Sequence, residues 1–226
     1  MSRRIFGLTM GALLALALGA ARASAQGLAD YDYVNLGFRG AGLEVGRLFP
    51  STVDPTTSVT ASLDLGYLGP GLQIVPSLTY WSSDLSESKV GEFESRLDDL
   101  VQRAGGPGAP RPDIRLGPIQ WTDVALTVDG QFVWNVPFGI QTNVGAGATA
   151  HLLNGQGDAI DGTFVEDLLD SVRAGFNLHA GLEYPLLERL HLLGSARYEV
   201  LGDLQYFELR LGTRFMVGSS SDGGGR

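Results

Sequence analysis

Apolar and polar residues alternate with a period of two along most of the chain, the spacing of a strand with one greasy and one polar face. The clearest stretch is Leu204 to Val217. Phe207, Leu209, Leu211, Thr213, Phe215 and Val217 occupy its odd positions, and Glu208, Arg210, Gly212 and Arg214 its even ones. A soluble strand usually has about 5–6 residues, whereas a tilted strand crosses a bilayer with about 9–11. This stretch exceeds both.

The same alternation predicts seven further strands. They are Tyr33 to about Gly46, with a phase slip that Gly40-Ala41-Gly42 accommodates as a bulge, Ser58 to Tyr67, Leu72 to about Ser82, Gln120 to Trp134, Phe138 to Leu152, Val172 to Tyr184, and Leu190 to Val200. Pro76 falls inside the third, which weighs against a central strand there. The period changes to helical over Ser86 to Ala104, where Val90, Phe93, Leu97, Leu100 and Val101 share one face and Gly105 stops the run. Thr163-Phe164-Val165-Glu166 has the form of a capping box and predicts a second, short helix to about Ser171. The links alternate in length. Turns near Gly69, Val136 and Pro185 are short, the links at 47–57, 83–119 and 153–171 are long, and the link at Gly202 is short.

Composition narrows the class. Arg3 and Arg4, an apolar run from Ile5 to Ala20 and Ala23-Ser24-Ala25 have the form of a signal peptide cleaved after Ala25. The expected organisation is a signal at 1–25, a single domain at 26–217 and a flexible tail at 218–226. There is no cysteine, hence no disulfide framework. The formal charge is −9, and −12 without Arg3, Arg4 and Arg22, which argues against nucleic acid as a partner. After residue 25 no apolar run is long enough for a spanning helix. A membrane location therefore requires a closed barrel.

Alternation alone does not say which face points outward, and a soluble lipocalin-like ligand carrier would hide the greasy one. Three features favour lipid. Long and short links alternate. Aromatics of the apolar face collect near strand ends, with Tyr67, Trp134, Phe138, Tyr184 and Phe215 at the short-turn end and Tyr80, Tyr198 and Phe207 at the other. The polar face carries both signs of charge: Arg39, Asp64, Asp123, Asp129, Arg173, Glu183, Arg197, Glu199, Glu208, Arg210 and Arg214. Inside a narrow barrel these can pair, as buried charges must.

The ending Arg210-Leu211-Gly212-Thr213-Arg214-Phe215-Met216-Val217 has the polar-x-Gly-x-x-aromatic-x-apolar form. With the signal, the strands and the girdles, it resembles the small bacterial outer-membrane β-barrel superfamily that includes the OmpA transmembrane domain, OmpX and OmpW, over residues 30–217. The resemblance implies an all-β, eight-stranded, antiparallel up-and-down transmembrane barrel with short helices in extracellular loops. It also implies the outer membrane of a diderm bacterium as location, outer-membrane lipids as surroundings, and barrel assembly machinery engaged through the C-terminal strand.

The expected role is structural or in surface interaction, without enzymatic activity, cofactor or metal, and with a lumen plugged by charged side chains. A narrow conduit for small or hydrophobic solutes is the alternative. A lipid-modifying enzyme is a third reading, because some barrels of this kind carry serine and histidine near the outer rim, where His151 and Ser82 fall. His179 reads as a polar lumen residue. His151, His179 and His191 are too dispersed for a helical zinc motif. Asn154, Gln156, Asp158 and Asp161 fail as a calcium loop, with Ala159 where glycine is needed.

Overall fold

Strands with one apolar and one polar face become stable when the ladder closes and each face meets a matching medium. In the computed structural model the strands are β1 Leu36–Pro50, β2 Thr56–Gly69, β3 Leu72–Asp84, β4 Gln120–Asn135, β5 Gln141–Gln156, β6 Ser171–Leu187, β7 Leu190–Leu201 and β8 Leu204–Met216. One α-helix among the described residues, α1, spans Glu87–Gly105 in the β3–β4 link. The structure describes residues 35–105, 115–157, 162, 171–202 and 204–217. The signal peptide with Ala25, Tyr33 and Val34, the second loop helix up to residue 170, Asp158, Asp161 and the tail at 218–226 lie outside them.

Each strand pairs antiparallel with its sequence neighbours, and the order β1 to β8 forms a closed barrel. Closure is made by β1 and β8, from Gly40 opposite Met216 to Pro50 opposite Tyr206. Among the described residues no strand edge is left open, so backbone donors and acceptors are satisfied within the sheet.

Several boundaries differ from the expectation. β1 continues to Pro50, so the link placed at 47–57 shrinks to the residues between Pro50 and Thr56. The alternation misled here because Arg47 faces out and Leu48 faces in, the reverse of the usual pattern. β5 begins at Gln141, not at Phe138. Phe138 lies in the turn Pro137–Gly139 at φ 71 and is 92% exposed. β6 runs through Pro185 to Leu187, leaving Glu188 and Arg189 as the turn.

Pro76 is tolerated for a visible reason. On the β4 side it pairs with Val128 in unbroken register. On the β2 side the ladder is interrupted between Ser62 and Tyr67, across from Pro76, where a missing N–H costs no bond. Gly66 makes that interruption possible, at φ 78 with its N–H donated to Asp64 Oδ1 at 2.8 Å.

The exterior is apolar. Leu43, Leu78, Leu126, Leu178 and Leu211 are all exposed, Leu211 at 74%, whereas Asp123, Glu199 and Glu208 on the inner face are at 0%. Water does not tolerate a belt of this size on a monomer, and a bilayer does.

At the loop end the interior changes character. Leu48, Trp81, Trp121, Leu153, Leu201, Leu204 and Tyr206 turn inward from six strands and pack with Val53 of the β1–β2 link. Trp81 and Tyr206 meet edge to face at 6.4 Å. Leu85 joins this layer to a second cluster, Leu116 and Ile119, on which Val90, Phe93 and Leu97 of α1 pack. The expected helical stripe is therefore used in part, since Leu100 and Val101 remain exposed.

The irregularity of β1 lies between Leu36 and Gly40, ahead of the bulge expected at Gly40-Ala41-Gly42, where pairing with β2 and β8 is unbroken. The interruption at Gly66 supplies a test. In Gly66→Ala the new Cβ would lie 2.6 Å from the Asn35 carbonyl oxygen, at a φ that L side chains disfavour. The expected loss is about 1–3 kcal/mol, read as a lower urea midpoint for the refolded barrel.

Candidate functional site

The inner face of each strand presents every second residue to the lumen, which brings distant parts of the sequence together. The network nearest the apolar layer joins β4, β5 and β7. His151 Nδ1 lies 2.7 Å from Asp123 Oδ2, and its Nε2 lies 3.5 Å from Glu199 Oε1. Arg197 donates from Nε to Glu199 at 2.9 Å and from Nη1 to Asp129 on β4 at 3.0 Å, spanning the lumen. Asn177 on β6 donates to Asp129 at 2.9 Å, and His179 Nδ1 lies 2.9 Å from the Asn177 amide oxygen.

Two further groups lie on the β8 side. Glu208 accepts from Ser58 on β2 and pairs with Arg210 at 2.5 Å. Arg214 donates to Glu183 on β6 at 2.7 Å and lies 3.9 Å from Asp64 on β2. Glu183 also meets His191 Nδ1 at 2.5 Å. Charges this deeply buried need partners, and removing one from such a pair typically costs about 3–5 kcal/mol.

Of the residues expected to face the lumen, Asp64, Asp123, Asp129, Glu183, Arg197, Glu199, Glu208, Arg210 and Arg214 are buried within these groups. Two lie apart. Arg39 does not lie beside the charges of β8. The register instead sets Gly42 against Arg214, Gly46 against Arg210 and Leu48 against Glu208. Arg39 sits within the β1 irregularity between Leu36 and Gly40, its guanidinium 4.9 Å above the Tyr67 ring. Arg173, near the loop end, donates to its near neighbour Ser171 at 3.2 Å and is half-buried.

The aromatics occupy two levels. Tyr67, Trp134, Tyr184 and Phe215 lie on the strands near the short-turn end, with Phe138 in the turn beyond. Tyr80, Tyr198 and Phe207 lie towards the loops, and Phe207 stacks on Phe49 at 6.5 Å.

No family model matches the chain, and no curated protein matches it either. Solved structures do. Neisserial surface protein A aligns with a TM-score of 0.53 at 12% identity, covering 79% of this chain and 97% of that one. The fold is that of a small outer-membrane β-barrel. A major outer membrane protein from Thermus thermophilus aligns at 0.48 and 12% identity, covering 79% of this chain and 99% of that one. The attachment invasion locus protein Ail of Yersinia pestis aligns at 0.46 and 10% identity, covering 80% of this chain and 99% of that one.

Ser82 and His151 have separate partners. Ser82 bonds the Thr122 hydroxyl at 3.2 Å, whereas His151 points inward between two carboxylates. Sequence reasoning passed over Glu44, which is buried and accepts from Ser195 at 3.3 Å. The phase slip was the available signal, because from Gly40 onward the even positions of β1 turn inward. Phe49 was missed with the end of β1.

Glycines at inward positions were also passed over. They allow side chains on next-but-one strands to meet. Ser58 and Glu208 join over Gly46 of β1, Asp129 and Asn177 over Gly147 of β5, and His151 approaches Glu199 over Gly175 of β6. A Cβ on Gly147 would fall on Asp129 Oδ1 and 2.6 Å from Asn177 Nδ2. Gly147→Ala is expected to destabilise the refolded barrel by about 1–3 kcal/mol, the cost of leaving a buried polar group unpaired. Gly130→Ala, with nothing within 4 Å of the new Cβ, serves as its control and should leave the urea midpoint unchanged.

Proposed function

We propose that the chain is an integral outer-membrane β-barrel with a structural or surface-interaction role and without catalysis. The observation that carries this reading is the inverted polarity of the barrel, apolar outside and ion-paired inside. Two levels of aromatics on the outer face support it. So does the fold likeness to Neisserial surface protein A, together with the signal-like first 25 residues and the strand ending in Phe215. The lumen charges pair across the interior instead of lining an open path, which favours a closed barrel over a conduit. The loops and α1 then carry contacts with other molecules, as connecting segments of rigid scaffolds commonly do.

Refolding tests the membrane reading. The chain without residues 1–25 should give a β-rich species in detergent whose migration on a gel changes on boiling. A water-soluble monomer that binds a hydrophobic ligand would instead support the lipocalin-like reading.

Assembly gives a second test. In this reading β8 carries the signal for the barrel assembly machinery, with Phe215 as its aromatic. Phe215→Ala should lower the yield of assembled barrel in the outer membrane while export across the inner membrane continues. An unchanged yield would remove Phe215 from the signal.

A further inference from the structure

The interior has two unlike halves. Towards the short turns lies a cavity of about 60 Å³, lined among others by Glu44, Ser62, Ser77, Asn143, Arg210 and Arg214. Asn143 and Arg214 are two residues from the short-turn ends of β5 and β8, so the cavity lies on the side of that mouth of the barrel. Four buried polar atoms of its lining, Ser62 Oγ, Ser77 Oγ, Arg210 Nε and Arg214 Nε, have no protein partner among the described residues. Buried groups of this kind need an ordered partner, and a cavity this size holds several waters, since one water needs about 10–15 Å³. Ser62 and Ser77 are paired across β2 and β3, and Ser62 and Arg214 both pair with Gly42 of β1. Small residues thus leave room in the row that carries the arginine.

Towards the loops the lumen ends on the apolar layer of Leu48, Trp81, Trp121, Leu204 and Tyr206. Leu48 and Trp81 are at 0% exposure, and none of the five lines the cavity. A wet, charged passage admits ions, whereas a dry apolar constriction excludes them by dewetting.

We propose that the permeability barrier of this barrel is the apolar layer at the loop end, and that the lumen beneath it is a hydrated vestibule entered only from the short-turn end. This rests on the membrane-barrel reading above. It relocates closure from the ion pairs to Trp81, Tyr206 and their neighbours. The ion pairs then have a different task, holding opposite walls of a wet chamber at fixed separation.

The chain lacks cysteine, so single cysteines can report access. Ser62→Cys and Ser77→Cys are nearly isosteric. Each protein is refolded into lipid vesicles, and insertion is verified by heat-modifiable migration. Orientation is scored by protease cleavage of the β3–β4 link. A small, membrane-impermeant, charged methanethiosulfonate reagent is added outside. Labelling is expected only in molecules whose loops face the vesicle interior. Labelling of molecules with loops outward would overturn the proposal, and so would an absence of labelling in both orientations.

Ion flux supplies the second measurement. Trp81→Ala combined with Tyr206→Ala should let salt cross, whereas Arg210→Ala combined with Arg214→Ala should not. The reverse pattern would return the barrier to the charges and overturn the proposal. Failure of every variant and of the parent chain to insert would overturn the membrane reading itself, and the vestibule with it.

Discussion

Closure of the sheet by β1 and β8 is the constraint on which everything else depends. In hydrocarbon, an unpaired backbone group costs several kcal/mol, so an open edge is not an option. The ladder from Gly40–Met216 to Pro50–Tyr206 removes both edges at once. It also fixes where each inward side chain of β8 sits relative to β2, with only β1 between them. Glu208 reaches Ser58 and Arg214 approaches Asp64 because that spacing is set by the backbone.

A closed barrel of eight strands has an interior about wide enough for side chains to fill. Long charged residues on every strand would overfill it. The inward glycines of β1, β5 and β6 relieve this, because a side chain can lie across a strand only where that strand presents no Cβ. The polar half is therefore a set of bridges over glycine gaps, and its charges are satisfied by geometry distributed over all eight strands. Around the cavity the filling is incomplete, and Ser62 Oγ, Ser77 Oγ, Arg210 Nε and Arg214 Nε have no protein partner among the described residues.

The apolar half follows a different rule. At the loop end the strands turn large apolar residues inward, and Val53, Leu85 and the α1 stripe continue that layer into the links. α1 is thereby held by packing of Val90, Phe93 and Leu97 on Leu116 and Ile119 of the β3–β4 link, with Leu85 joining that cluster to the layer inside the barrel. One wall of side chains thus anchors the helix and ends the lumen.

Much of this was legible in the sequence, because a period of two is a local property. The eight strands, α1 and nearly all inward charges can be read from it, since a side chain's face depends on its parity and little else. Parity fails where the backbone slips. The slip between Leu36 and Gly40 reversed the phase of β1 and hid Glu44, while Leu48 and Phe49 were lost with the end of the strand. Partner choice lies beyond local reach altogether. His151 meeting Asp123 and Glu199, or Arg197 reaching Asp129, depends on shear between strands far apart in sequence. The division of the lumen into a polar half and an apolar half was decided only by the tertiary structure. Height along the barrel axis follows from register, and register is a property of pairs of strands that no single strand contains.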